Sequence, residues 1–177
     1  MFEVEVKVKV NNDTIKKFLK SKGCFDKALK QNDYIFVHKS VKNGEVPKGG
    51  NILRIRTQNN KNILTLKQKG NLFDSLELET GVDSIKAMTD ILSCMEYNLI
   101  VNVNKKRETT RYNGMVICFD EVESLGKFIE AEIIVKTEKE MPEALNKIMS
   151  FYKQFGITEN DICKERYDDM VYKLNKQ

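Results

Sequence analysis

The 177-residue chain has no tryptophan, one histidine, two prolines and nine glycines. So little proline and glycine excludes collagen-like and linker-rich disordered chains. No stacking platform of aromatic residues among basic ones is visible for a single-stranded nucleic acid. Cys24, Cys94, Cys118 and Cys163 form no Cys-x-x-Cys pair, which argues against zinc-ribbon and thioredoxin-type sites. No histidine–cysteine pairing supports nucleophilic catalysis. No apolar run approaches the ~20 residues that cross a bilayer. The opening Met-Phe-Glu-Val-Glu lacks the basic and apolar regions of a secretory signal. The expectation is a cytoplasmic protein with free thiols and no membrane partner. An excess of one charge is missing too: Lys and Arg total 30 against 26 Asp and Glu, a net charge of +4. That balance does not suit a dedicated nucleic-acid binder, and no nucleic-acid partner is expected.

What the chain has is charge of both signs, 32% of its residues against about 25% in an average soluble domain. At this length the expectation is one domain over residues 1–177. Residues 2–10 alternate valine with charge and read as a strand. A helix over 13–22 follows, capped by Asn12 or Asp13 and stopped at Gly23. Residues 33–38 read as a strand, and 39–51 as a basic, glycine-rich loop without aromatics. Short strands are expected near 52–57, 62–69 and 75–80, with turns at Asn59-Asn60 and Gly70-Asn71. Asp83 or Ser84 can cap a helix to Tyr97 that buries Ile85, Met88, Leu92 and Met95. Strands near 99–112 and 115–121 hinge on Asn113-Gly114, and another runs near 127–136. Pro142 opens a helix that leaves at Gly156, and a short strand or helix is expected around 167–174. The sum is an α+β fold whose antiparallel hairpins close toward a barrel.

The informative pattern is charge at i, i+2 on successive strands, since such residues share a sheet face. Glu3, Glu5 and Lys7 do this, as do Arg54 with Arg56, Lys67 with Lys69, Glu77 with Glu79, Lys105 with Arg107, and Glu130 with Glu132. Asp120 ends a neighbouring strand. One solvated face explains any one pair, because antiparallel sheets often face water on one side. Repetition on strand after strand points instead to a barrel with a charged interior. Such an interior is costly unless its acids and bases pair or a charged ligand fills it. Acidic pairs beside basic pairs suit a hard divalent ion held through oxygen, with a polyphosphate clamped by Arg and Lys. On the strand after Tyr97, Lys105 and Arg107 share a face with Val101 and Val103, so it must enter the interior late or bulge near Asn104.

These residues carry a resemblance. Glu3-Val4-Glu5-Val6-Lys7 resembles the Glu-x-Glu-x-Lys signature of the CYTH superfamily, the triphosphate tunnel metalloenzymes. Gln31-x-Asp33-Tyr34, Leu53-Arg54-Ile55-Arg56, Thr65-Leu66-Lys67, Glu77-x-Glu79 and Lys105-x-Arg107 follow in the family's order. The stretch FDEVESLGKFIEAE at 119–132 resembles the family's Asp-x-Val-x-x-Leu-Gly-x-Phe-x-Glu-x-Glu block, especially that of class IV adenylyl cyclases. Two departures stand out: Arg166-Tyr167 replaces a frequent Ser-Tyr, and the 39–51 loop lacks aromatics.

The resemblance implies a closed, eight-stranded antiparallel β-barrel with flanking helices. It implies that Glu3, Glu5, Asp120, Glu130 and Glu132 hold Mg²⁺ or Mn²⁺, with Asp120 ligating or supporting. Lys7, Arg54, Arg56, Lys67, Lys105 and Arg107 would bind phosphate, with Glu77 and Glu79 as acidic support and Glu3, Glu5 and Lys7 as the catalytic group. The implied activity is that of a class IV adenylyl cyclase, converting ATP to cyclic AMP and pyrophosphate. The alternative is a triphosphatase acting on thiamine triphosphate, inorganic tripolyphosphate or a nucleoside triphosphate, related to thiamine triphosphatases. A non-enzymatic alternative is a polyphosphate- or RNA-binding protein, and the resemblance allows a homodimer. His38, at a strand end, reads as a surface residue. Lys164 and Arg166 read as solvated, and Met88, Met95, Met141 and Met149 as core filler.

Overall fold

Alternation on β1 (Phe2–Lys9) sets the plan of the molecule. Val4, Val6 and Val8 face outward into an apolar layer, and Glu3, Glu5 and Lys7 face inward. The computed structural model describes residues 2–23, 25–42, 46–69 and 74–176. The Gly70-Asn71 turn, the Lys69 side chain, Cys24 and residues 43–45 of the basic loop lie outside the described residues.

After β1 come α1 (Thr14–Lys20), β2 (Leu29–His38), β3 (Asn51–Gln58), β4 (Lys61–Lys69), β5 (Asp74–Val82) and α2 (Ile85–Cys94). Then follow β6 (Tyr97–Tyr112), β7 (Met115–Val122), β8 (Gly126–Val135), α3 (Met141–Lys153) and α4 (Tyr167–Leu174). The strands form one closed antiparallel barrel in the order β1-β5-β4-β3-β2-β6-β7-β8. Closure joins β8 to β1, with Glu5 opposite Glu132 and Lys7 opposite Glu130. Two hairpins turn on paired left-handed residues: Asn59 and Asn60 (φ 50° and 58°), and Asn113 and Gly114 (φ 49° and 74°). Such pairs match the twist of the flanking strands, so these sites fix the β3–β4 and β6–β7 registers.

The main apolar core lies outside the barrel wall. α3 lays Ala144, Ile148, Phe151 and Tyr152 on the valines of β1 and on Ile129 and Ala131 of β8. Each such large side chain contributes about 1.5–3 kcal/mol on full burial. The Tyr152 hydroxyl lies 3.0 and 3.1 Å from the carbonyl oxygens of Val6 and Ile129, anchoring the helix to the β1–β8 seam. α2 covers Phe36, Leu53 and Ile55, and Ser84 caps it by accepting the Ala87 N–H at 3.2 Å. Leu92 is its buried anchor, whereas Met95, expected in the core, is exposed, because it sits past the last helical turn.

A third apolar group fills one end of the barrel interior. Ile35, Val37, Ile52, Val101 and Val103 meet Tyr167 and Val171 of α4 there. This resolves the β6 difficulty differently from expectation. Val101 and Val103 do face inward with Lys105 and Arg107, because α4 makes that end of the interior apolar. The register does shift, but where Ile35 pairs with Val101 and Phe36 with Leu99, so the extra residue is Ile100 and not one near Asn104. β2 begins at Leu29, four residues before the alternation becomes apolar, because its polar start pairs with β6 from Lys105 to Arg107. Among the described residues no helix is long and apolar enough to cross a membrane.

Candidate active site

The inward faces enclose a cavity of about 470 Å³. Glu3, Glu5, Lys7, Arg54, Arg56, Lys67, Glu77, Glu79, Lys105, Arg107, Glu130 and Glu132 all line it. Asp120 does not line it, since its fully buried carboxylate lies under Arg107. Three charged lining residues were not among the expected site residues: Asp33, Arg166 and Asp168. Asp33 was visible in the Gln31-x-Asp33-Tyr34 motif. Its parity with Arg56 across the β2–β3 pair is the signal that places it inside. Arg166, expected in a solvated loop, instead caps the approach to α4 and pairs with Asp168 and Asp169 at 3.0 and 2.8 Å. His38 lies outside the cavity, near Ser40 and Glu96.

The charges divide into two groups. Around Arg107 they satisfy each other. Its guanidinium grips Asp120 with two bonds of 2.7 and 2.5 Å and also donates to Glu130. Lys105 Nζ stands 3.1 Å from Asp120, and Lys7 Nζ 3.8 Å from Glu130. Burial alone would push the Glu130 carboxyl up, but Arg107, Lys105 and Lys7 hold it well below the usual range. Arg56 and Asp33 form a second two-bond pair, both bonds 2.7 Å. Asp33 is held low by that pairing and by the nearby cations, against its burial.

Glu3, Glu5 and Glu132 behave oppositely. Each can offer a carboxylate oxygen so that all three atoms lie within 4.8 Å of one another. Burial, then Glu132 and Glu77, pushes Glu3 up to about 9. Burial and Glu130 raise Glu5. Burial, with Glu5 and Glu130 and against Arg107, raises Glu132 to about 7. At neutral pH a protonated Glu3 can donate to Glu77, which Lys67 at 2.7 Å helps hold down to about 2 despite its burial. Crowded carboxylates that resist ionisation mark a place where a cation would relieve the repulsion.

The opposite wall offers cations. Arg54 donates to Thr65 at 3.1 Å and lies 3.4 and 3.7 Å from Glu79 and Glu77, while its buried Nε has no hydrogen-bond partner among the described residues. The donor set therefore fits both components of a metal–polyphosphate complex: hard carboxylate oxygens for a divalent ion, and guanidinium and ammonium groups for phosphoryl oxygens.

Comparison with known proteins bears on the family and the fold. A relative from Methanocaldococcus jannaschii, provisionally named an adenylate cyclase, is 26% identical over 94% of this chain and 97% of its own. The solved PH1819 protein from Pyrococcus horikoshii OT3 is 27% identical, with a TM-score of 0.81 and 99% of each chain covered. A Hippeastrum protein, HpAC1, provisionally named an adenylyl cyclase and described as having a dominant triphosphatase activity, shares the fold at a TM-score of 0.62. It is 20% identical, with 99% of this chain and 96% of its own covered. The family model for the CYTH domain matches residues 1–167, and the chain belongs to the CYTH family.

Proposed function

We propose that the chain is a divalent-metal-dependent enzyme that acts on a triphosphate inside the barrel, in the manner of a class IV adenylyl cyclase. The observation that carries this reading is the convergence of Glu3, Glu5 and Glu132 opposite a wall of Arg and Lys. In it, those three glutamates hold Mg²⁺ or Mn²⁺. Glu130 and Asp120, which could also have been ligands, are spent on Arg107, Lys7 and Lys105 and position those cations instead.

A bound divalent ion would supply Lewis-acid stabilisation of charge at the phosphoryl oxygens. The chain's own residues do the rest. Arg54, Arg56, Lys67, Lys7, Lys105 and Arg107 orient the triphosphate and stabilise the negative charge that builds on it. Their salt bridges within the barrel wall hold these groups before substrate arrives, so little reorganisation is left for the reaction. Glu77 and Glu79 aim Lys67 and Arg54. In the cyclising register the ribose 3′-hydroxyl attacks the α-phosphorus and pyrophosphate leaves. The M. jannaschii relative, similar along nearly its whole length, supports that register.

Hydrolysis of the triphosphate is the second reading, and one observation favours it. Among the described lining residues the only aromatic side chains are Phe2 and Tyr167, and these form no stacking slot for a base. Product analysis decides between them. Purified protein with Mg²⁺ or Mn²⁺ is given ATP, thiamine triphosphate or inorganic tripolyphosphate in separate reactions. Cyclic AMP with pyrophosphate is the expected result. Orthophosphate without cyclic AMP would establish the triphosphatase, and turnover of none of the three would reject the enzymatic reading.

A further inference from the structure

Tyr167, the first residue of α4, is 8% exposed and lines the cavity where apolar packing closes it. Its hydroxyl is shut off from water and has no hydrogen-bond partner among the described residues. A buried phenol ordinarily finds one, because an unpaired polar group gives up its hydration for nothing. The ring itself is firmly set. Phe128 meets it edge-on at 5.0 Å between centroids. Lys7 and Lys105 place their ammonium groups over it, 4.4 and 5.0 Å from its centre. The nearby carboxylates are engaged elsewhere: Glu130 by Arg107 and Lys7, Asp120 by Arg107 and Lys105. Burial, with Glu130 and Asp120 close by, keeps the phenol neutral at any ordinary pH. A neutral O–H can donate to an anion without the repulsion a phenolate would bring.

We infer that Tyr167 is a ligand-binding residue of the tunnel, whose hydroxyl donates a hydrogen bond to an oxyanion of the bound polyphosphate at the closed end. The inference rests on the reading that the barrel interior takes a polyphosphate. Lys7 and Lys105 have flexible stems, and the hydroxyl is covered as folded, so contact requires that an oxyanion entering that end draw their ammonium groups off the ring and open a path to it. The ring thus serves as the platform on which two cations wait, and the O–H as the third contact. If the residue were only packing, deleting an unpaired buried hydroxyl would relieve the protein and change nothing else.

The test compares wild type, Tyr167→Phe and Tyr172→Phe, the last altering a tyrosine of the same helix that does not line the cavity. Thermal unfolding without ligand and calorimetric binding of inorganic tripolyphosphate in Mg²⁺ are measured for each full-length chain. Tyr167→Phe should melt no lower than wild type, yet bind tripolyphosphate about tenfold more weakly, the scale of one hydrogen bond to a charged group. Its binding of Mg²⁺ alone should not change, and Tyr172→Phe should match wild type in tripolyphosphate affinity. Equal tripolyphosphate affinity in Tyr167→Phe and wild type would overturn the inference and leave the proposed function standing. A Tyr167→Phe chain that melts lower would also overturn it, by showing that the hydroxyl has a partner within the protein. Wild type that fails to bind tripolyphosphate in Mg²⁺ would remove the underlying reading, and the inference with it.

Discussion

Two clusters of carboxylates stand on the adjacent strands β7, β8 and β1 of the barrel wall and are built to opposite ends. Asp120 and Glu130 are each matched by buried cations, and Arg107 binds both. Glu3, Glu5 and Glu132 face one another, and repulsion and burial drive their carboxyls up. The first cluster is complete as folded, whereas the second is left with its repulsion unrelieved and is the one proposed above to take a cation. The chemistry of the side chains is the same in both, so the difference lies in what each strand neighbour contributes. A buried carboxylate with a two-bond arginine serves as a support, and one surrounded by other carboxylates serves as a receptacle.

The comparison breaks most visibly at Asp120. Asp120→Ala leaves Lys105 and Arg107 with their principal buried partner gone. Loss of one member of a buried pair costs about 3–5 kcal/mol, and urea unfolding should show it with or without metal. Glu5→Gln should do the reverse. Removing one charge from the repelling cluster should keep or raise the metal-free unfolding midpoint. Metal-dependent turnover of whichever triphosphate product analysis identifies should fall about 10²–10³-fold, the scale seen when one preorganised electrostatic contact is lost. Full turnover in a folded Glu5→Gln chain would refute the assigned ligand set.

The remaining expectation is a pH trend. Glu132 and Glu3 sit at about 7 and about 9, above their ordinary 4.5, so the folded chain holds protons that the unfolded chain has released. Stability from these groups is therefore fully present below about pH 4.5 and is lost as pH rises through 7 and toward 9. The metal-free melting temperature should decline over that range. Mg²⁺ or Mn²⁺ should flatten the decline, since the ion binds the ionised carboxylates and displaces their protons. A Glu132→Gln chain should lose the part of the slope that runs from about pH 4.5 to about 7.

Much of this was legible in the residues. The alternation of Val4, Val6 and Val8 with Glu3, Glu5 and Lys7 already separates an apolar face from a charged one, because strand side chains have a period of two. Asn59-Asn60 and Asn113-Gly114 marked their hairpins, because few other pairs tolerate two left-handed residues in a row. Less legible were the contacts between strands distant in sequence. Nothing in a one-dimensional reading shows that Asp120 stands beneath Arg107 while Glu132 stands beside Glu5, since that depends on the β6–β7 and β1–β8 registers. The place of Val101 and Val103 was equally hidden, because it depends on α4 filling one end of the interior.

The sequence by itself therefore determined which charged side chains share a face on each strand, the kinds of charge they bring and the family they point to. The tertiary structure alone decided how those charges are shared: which carboxylates are neutralised by a cation and which are left to repel, and where the tunnel ends against Tyr167. Facing is a local property of the pleated chain. Pairing depends on distances of a few ångströms between strands far apart in sequence, and the steep dependence of charge interactions on separation and burial turns those distances into different roles.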